Sequence, residues 1–203
     1  LTRISQGAHP FLIPLMLQLG FGLSAAAAGQ IAIATAVGSM AMKPLQVRIL
    51  RTLGFRTALI IFGLIGTLGY GMCAIFRPDW PLPVIFVILF FCGFFMSFQF
   101  SAYNTIAYDE IERDQMSTAT SFYSTFQQLM LSLGICVAAL ALHGSMQFRG
   151  AAKAQMIDFS VAFIVVTAIA LLAVIWNARF SRTAGSELSG HRLKSSKDGL
   201  GEH

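Results

Sequence analysis

Formal charge is scarce in this chain, and its distribution is uneven. Only 11% of the 203 residues are Asp, Glu, Lys or Arg, against 56% hydrophobic, and the mean hydropathy is +0.69. That excludes an ordinary soluble domain, in which about a quarter of residues are charged. Cysteine is sparse too. Cys73, Cys92 and Cys136 fall inside apolar runs with no CxxC and no paired spacing, which argues against a disulfide frame or a thiolate metal site. No nucleophile elbow, His-rich spacing or phosphate loop after a strand occurs, so catalysis, a metal and a cofactor are not expected. The nine acidic residues (Asp79, Asp109, Glu110, Glu112, Asp114, Asp158, Glu187, Asp198 and Glu202) lie in loops, at run ends or in the tail. None is placed mid-membrane. The run from Asp109 to Asp114 reads as solvation of a helix end rather than as a catalytic cluster.

What is present is a train of long apolar runs. A bilayer core of about 30 Å takes roughly 20 apolar helical residues, and runs of that order recur along the chain. They are apolar on every side rather than along one stripe, which a surface helix of a soluble protein is not. The expected fold class is therefore all-α and polytopic in a membrane, with six segments at about 1–22, 25–42, 57–76, 82–105, 116–143 and 156–178. Residues 181–203 turn abruptly to Ser, Gly, Lys and Arg, the composition of a disordered tail. The chain opens on Leu1-Thr2-Arg3 without an initiator Met, and the expectation is a truncated first helix with a further part of the protein before it.

Lys and Arg set the orientation. Lys43, Arg48, Arg51, Arg56, Arg113, Arg179, Arg182, Arg192, Lys194 and Lys197 fall on one side, and only Arg77, Arg149 and Lys153 on the other. The first side, with the tail, is expected to be cytoplasmic. The net charge of +5 is thereby accounted for as membrane-flanking charge, and nucleic acid is not an expected partner. Trp80 and Trp176 fall near run ends, where amphipathic rings favour the headgroup level.

Polarity sorts the segments. The third and sixth are almost wholly aliphatic and aromatic, and suit lipid contact. The fourth carries Ser97, Gln99, Ser101, Tyr103, Asn104 and Thr105 toward one end. The fifth carries Ser121, Ser124, Thr125, Gln128 and Ser132 at helical spacing, with Gln127 alongside. Polar groups in a span either line a water-filled cavity or bond helix to helix; the serines suit the second role, and Gln99, Gln127 and Gln128 suit either. The second segment is rich in Ala and Gly, which permits close backbone approach. Arg3 and His9 are the ionisable groups within the spans. Arg3 either snorkels to the cytoplasmic edge or lies deeper in a pathway, and Pro10 and Pro14 are expected to kink or break its helix.

Three stretches look familiar: RISQGAHPFLIPLMLQLGFGLSAAAAG at 3–29, MKPLQVRILRTLGFRTAL at 42–59, and FQFSAYNTIAYDEIERDQMSTATSFYSTFQQLMLSLG at 98–134. Together they resemble the carboxyl-terminal half of the drug:proton antiporter branch of the major facilitator superfamily, the multidrug exporters of twelve or fourteen helices. The resemblance implies one six-helix half of two, built from inverted three-helix repeats around a midplane site. It implies a small-molecule substrate, protons as the coupling ion, membrane lipid around the helices, and an amino-terminal half that carries the coupling acid. Pathway candidates are Arg3, His9, Gln99, Asn104, Ser124, Gln127, Gln128 and Ser132. The family's basic loop motif would fall at 47–57, where Gly54 and Arg56 match but Arg51 replaces the acidic residue; with Arg48, this cluster reads as a lipid anchor. Export of amphipathic or cationic molecules is the leading expectation, the phenylalanines of the fourth segment offering an adaptable wall. Transport of one specific solute, or a non-transporting membrane scaffold, remains the alternative.

The basic asymmetry generates a test. Single cysteines at Asp79 and Gly150 should react with a membrane-impermeant thiol reagent applied to intact cells, and one at Arg113 should not; the reverse labelling pattern overturns the orientation.

Overall fold

The apolar runs form helices, as their composition requires of a chain in lipid, where each backbone N–H must be bonded within its own segment. The computed structural model describes residues 1–107 and 116–177, and every regular element among them is helical. α1 (Thr2–Leu15) passes into a π-helical turn (Met16–Gly20). It is followed by α2 (Ala25–Leu53), α3 (Phe55–Met72, closing in a 3-10 turn, Cys73–Ile75), α4 (Leu82–Ala107), α5 (Met116–Phe148) and α6 (Met156–Asn177). The five helices α2 to α6 are long and apolar enough to cross a membrane. The 14-residue α1 is not among them, so the expected sixth span is met by a shorter, more polar helix. The tail, the acidic run of the 108–115 loop with Arg113, and the side chains of Arg56 and Trp176 lie outside what is described.

Two boundaries differ from expectation. The second helix does not end at residue 42 but runs through Lys43 and Pro44 to Leu53. Lys, Arg, Gln and Leu are good helix formers, so the chain leaves the apolar zone without leaving the helix; hydropathy marks where lipid ends, not where hydrogen bonding ends. Gly54, at φ 72°, stops it, with its N–H on Leu50 O at 3.0 Å. Likewise Pro10 and Pro14 do not break α1. The helix continues to Leu15 and then passes into the π turn Met16–Gly20.

The helices are held by two close crossings, α1 on α5 and α2 on α4. In the first, a Cβ at Gly7 would overlap the carbonyl of Leu131, and one at Gly134 would overlap the carbonyl of Ile4. In the second, a Cβ at Gly38 would overlap the carbonyl of Phe90, and one at Gly93 the carbonyl of Thr35. Each crossing thus seats two glycines reciprocally, every one against the carbonyl three residues before the other. Exchanging α1–α3 with α4–α6 turns one crossing into the other. At the second crossing Ser39 Oγ donates to Gly93 O at 3.1 Å and Ser97 Oγ to Ser39 O at 3.0 Å; these serines bond helix to helix.

α3 and α6 pack against each other and against α4 and α1. Ser160 Oγ donates to Ala74 O at 2.5 Å to join them. Each keeps an apolar outer side, with Ile61, Leu64 and Leu68 exposed on α3 and Ile164, Leu172 and Ile175 on α6. Buried Asp158 ties the start of α6 to the end of α5. It accepts from Arg149 Nη2 at 2.5 Å, Ser145 Oγ at 2.6 Å and the Gln155 N–H at 2.9 Å.

Gly38→Ala and Gly134→Ala should each lower stability by about 1–3 kcal/mol, the cost of overpacking, because a carbonyl cannot swing aside as a side chain can. Gly29 and Gly144 have nothing within 4 Å of a new Cβ, so alanine there should be neutral or stabilising, as helix propensity dictates. Thermal melting of the four variants in detergent checks the contrast.

Candidate functional site

α1 carries the polar groups, and the crossing with α5 decides where they go. One turn before Gly7, Arg3 reaches across to two other helices. Its Nη1 donates to Gln6 Oε1 at 2.8 Å, and its Nη2 donates to Asn104 Oδ1 at 2.5 Å, Tyr123 Oη at 2.9 Å and Phe100 O at 3.4 Å. The guanidinium carbon stands 4.1 Å from the centroid of the Phe100 ring, within cation–π range. Tyr123 Oη donates in turn to Asn104 Oδ1 at 3.1 Å, and Thr2 Oγ1 donates to Tyr103 Oη at 3.2 Å. Arg3 is half-buried in this cluster, and no carboxylate among the described residues reaches it. Its positive charge is held by neutral oxygens and an aromatic face.

Two turns further along α1, His9 is buried, its ring centroid 3.4 Å from that of Tyr70 on α3. It forms the wall of a cleft of about 310 Å³ between α1, α2 and α4. Pro10, Pro14, Thr35, Ser39, Tyr70 and Met96 are among its lining residues, and no Asp, Glu, Lys or Arg is. The prolines matter here, since neither presents an N–H to the cleft.

The structure separates the sequence-derived candidates. Arg3 and Asn104 meet directly. His9 lies on the cleft. Gln99 is buried and turned to α3, where a Cβ at Gly63 would come within 2.6 Å of its amide nitrogen. Gln127 is half-buried, one turn after Tyr123 and one turn before Leu131, on the side of α5 that meets α1. Ser124, Gln128 and Ser132 are exposed on the neighbouring face, and none of them lines the cleft. The polar stripe of α5 is therefore two faces. Arg48 and Arg51 are exposed on the helical extension of α2.

Gln6, Tyr123, Tyr70, Thr35 and Ser39 are site residues that sequence reasoning did not select. Gln6 was within reach, since i and i+3 share a helix face and Arg3 precedes it by three. Nothing local marks Tyr123 as Arg3's partner, 120 positions away.

The family model described as Major Facilitator Superfamily matches residues 2–135, from α1 into α5. The chain belongs to the major facilitator superfamily. It is 32% identical over 183 residues to a protein named multidrug resistance protein MdtD from Pectobacterium carotovorum, covering 87% of this chain and 39% of that one. A second MdtD, from an Enterobacter species, is 30% identical over 200 residues, with 96% and 42% covered. The transport protein named HsrA from Haemophilus influenzae is 31% identical over 175 residues, with 86% and 38% covered. The chain thus spans about two-fifths of the length of these relatives. No solved structure matches significantly. Family membership and five membrane-length apolar helices make the chain an integral membrane protein. The exchange that relates the two glycine crossings is of the kind expected where three-helix repeats build a transporter of this superfamily.

Arg3→Lys keeps the charge but loses the planar fork that serves several acceptors at once. It should lower stability by about 1.5–3 kcal/mol, the range for hydrogen bonds to a charged group, read by thermal melting. Asn104→Leu in the Arg3→Lys background should then cost less than Asn104→Leu alone, since the two share one bond.

Proposed function

We propose that this chain forms the carboxyl-terminal, six-helix half of a proton-coupled exporter of amphipathic or cationic small molecules in the bacterial cytoplasmic membrane, with its tail in the cytoplasm. The observation that carries the reading is the cleft beside His9. A volume of about 310 Å³ lies at the lower end of small-molecule sites, which are mostly apolar with a few placed polar groups. Here the apolar part is Ile13, Ala32, Ala36 and Met96, and the polar part is His9, Tyr70, Thr35 and Ser39. Methionine adapts to varied shapes, and the lining carries no Asp, Glu, Lys or Arg. The names of the relatives, for multidrug resistance and for transport, support the same reading.

Proton coupling is inferred from the resemblance, and its acid is expected outside this chain. Asp158, the buried acid among the described residues, is already matched by Arg149 near the end of the bundle. The exposed face of α5 with Ser124, Gln128 and Ser132 would then look toward the other half, across the path of the substrate.

Two substitutions in the complete transporter test this, with ethidium as the probe. Ala36→Phe fills the cleft from an exposed helix position, and should abolish ethidium export while membrane levels and melting temperature hold. Gln128→Leu should impair export or shift substrate range at unchanged stability, because water already solvates its amide. Full ethidium export by Ala36→Phe would sink the cleft assignment. A loss of about 0.5–2 kcal/mol in Gln128→Leu, typical of interhelical bonds in membranes, with unchanged transport per molecule, would remove α5 from the pathway.

A further inference from the structure

Behind the cleft lies a second, much smaller space. His9, Tyr70 and Met96 line both and form the partition between them, Tyr70 Oη donating to Met96 Sδ at 2.8 Å. The chamber on the far side has a volume of about 10 Å³ and is lined by Gln6, Thr67, Gln99 and Thr167 among others, so α1, α3, α4 and α6 all contribute. Three buried side-chain atoms have no hydrogen-bond partner among the described residues: Gln6 Nε2, His9 Nε2 and Thr167 Oγ1. All three belong to residues that line this chamber. Gln6 is 4% exposed and His9 3%.

Donor and acceptor chemistry identifies the occupant. His9 Nδ1 lies 2.5 Å from Ser5 O; a carbonyl only accepts, so Nδ1 carries the hydrogen and Nε2 presents a lone pair. Gln6 Oε1 accepts from Arg3, and because a guanidinium only donates, the other end of that amide is its NH₂. Thr167 can donate or accept. A bare lone pair repels an anion and an amide N–H repels a cation, whereas water answers both. A space of about 10–15 Å³ holds one water when two to four polar groups surround it. Left unpaired, each of these buried groups would weaken the fold.

We propose that the chamber is a binding site for a single water molecule, which accepts from Gln6 Nε2–H, donates to His9 Nε2 and bonds Thr167 Oγ1. The water completes a hydrogen-bonded chain from the Asn104–Tyr123–Arg3 cluster through Gln6 to His9, and draws α6 into it. It holds His9 neutral, in the Nδ1–H tautomer, as a positioning residue that fixes the Tyr70 ring on the cleft wall. The proposal concerns the chamber and does not depend on what the cleft carries.

The test is carried out on the complete protein in lipid nanodiscs. Nitrogen-15 spectra of its histidines at neutral pH should show His9 with Nδ1 protonated, Nε2 bare, and a cross-peak from Nε2 to water. A dry Nε2, an Nε2–H tautomer, or an imidazolium overturns the proposal; the last would make the chamber a proton site instead. A double-mutant cycle gives a second readout. His9→Phe keeps a ring against Tyr70 and Thr167→Val keeps the shape of Thr167, so if both side chains bond one water, the second change should lose most of its effect on melting temperature in the presence of the first. Additive effects overturn the shared water, and if either variant fails to fold, the wild-type spectra decide.

Discussion

Two pairs of helices touch backbone to backbone, and the rest of the molecule is arranged around that contact. In lipid there is no hydrophobic drive to bring helices together, so association depends on close packing and interhelical hydrogen bonds. Gly7 with Gly134, and Gly38 with Gly93, allow an approach that any side chain would block. Each crossing also sets the register of polar groups around it. The first brings Arg3 to Asn104 and Tyr123, and the second brings Ser39 and Ser97 onto the facing backbone. Widening either crossing by a methyl group would separate these groups as well as the helices.

The polar groups of α1 lie where helices meet, whereas those of α5 are mostly on an exposed face. α1 has contacts to α2, α5 and α6, and it carries Arg3, Gln6 and His9 along a helix that is neither long nor apolar enough to stand alone against lipid. Its cation is spread over neutral oxygens and the Phe100 ring, an arrangement that leaves the local field positive. Its imidazole is placed on the wall of an uncharged cleft. Pro10 and Pro14 line that cleft and leave the helix unbroken as far as Leu15.

Much of the fold was legible because a membrane imposes few options. The apolar runs at 25–42, 57–76, 82–105, 116–143 and 156–178 each became a helix, since no other local structure satisfies a backbone in lipid. Helix ends were less legible. α2 and α5 run on past the apolar zone, to Leu53 and Phe148, where hydropathy falls but helix propensity does not. For the site, Arg3 and His9 stood out because an ionisable group inside a span demands a partner. Gln127 and Gln128 could not be told apart, being adjacent in sequence and equally polar; only the position of α1 assigns one to an interface and the other to an open face.

The sequence by itself determined that this protein is all-helical and belongs in a membrane, and it singled out the helix that carries charge. These follow from composition and local periodicity, which are properties of a segment and its solvent. The tertiary structure alone decided that Arg3 pairs with Asn104 and Tyr123. It also decided that His9 lines both a cleft and a small chamber behind it, and that Gln6 and His9 of α1 meet Thr167 of α6 around that chamber. Such pairings depend on the crossing point of two helices, and a shift of one turn, about 5.4 Å, would give every polar side chain a different partner while leaving the pattern of the sequence unchanged.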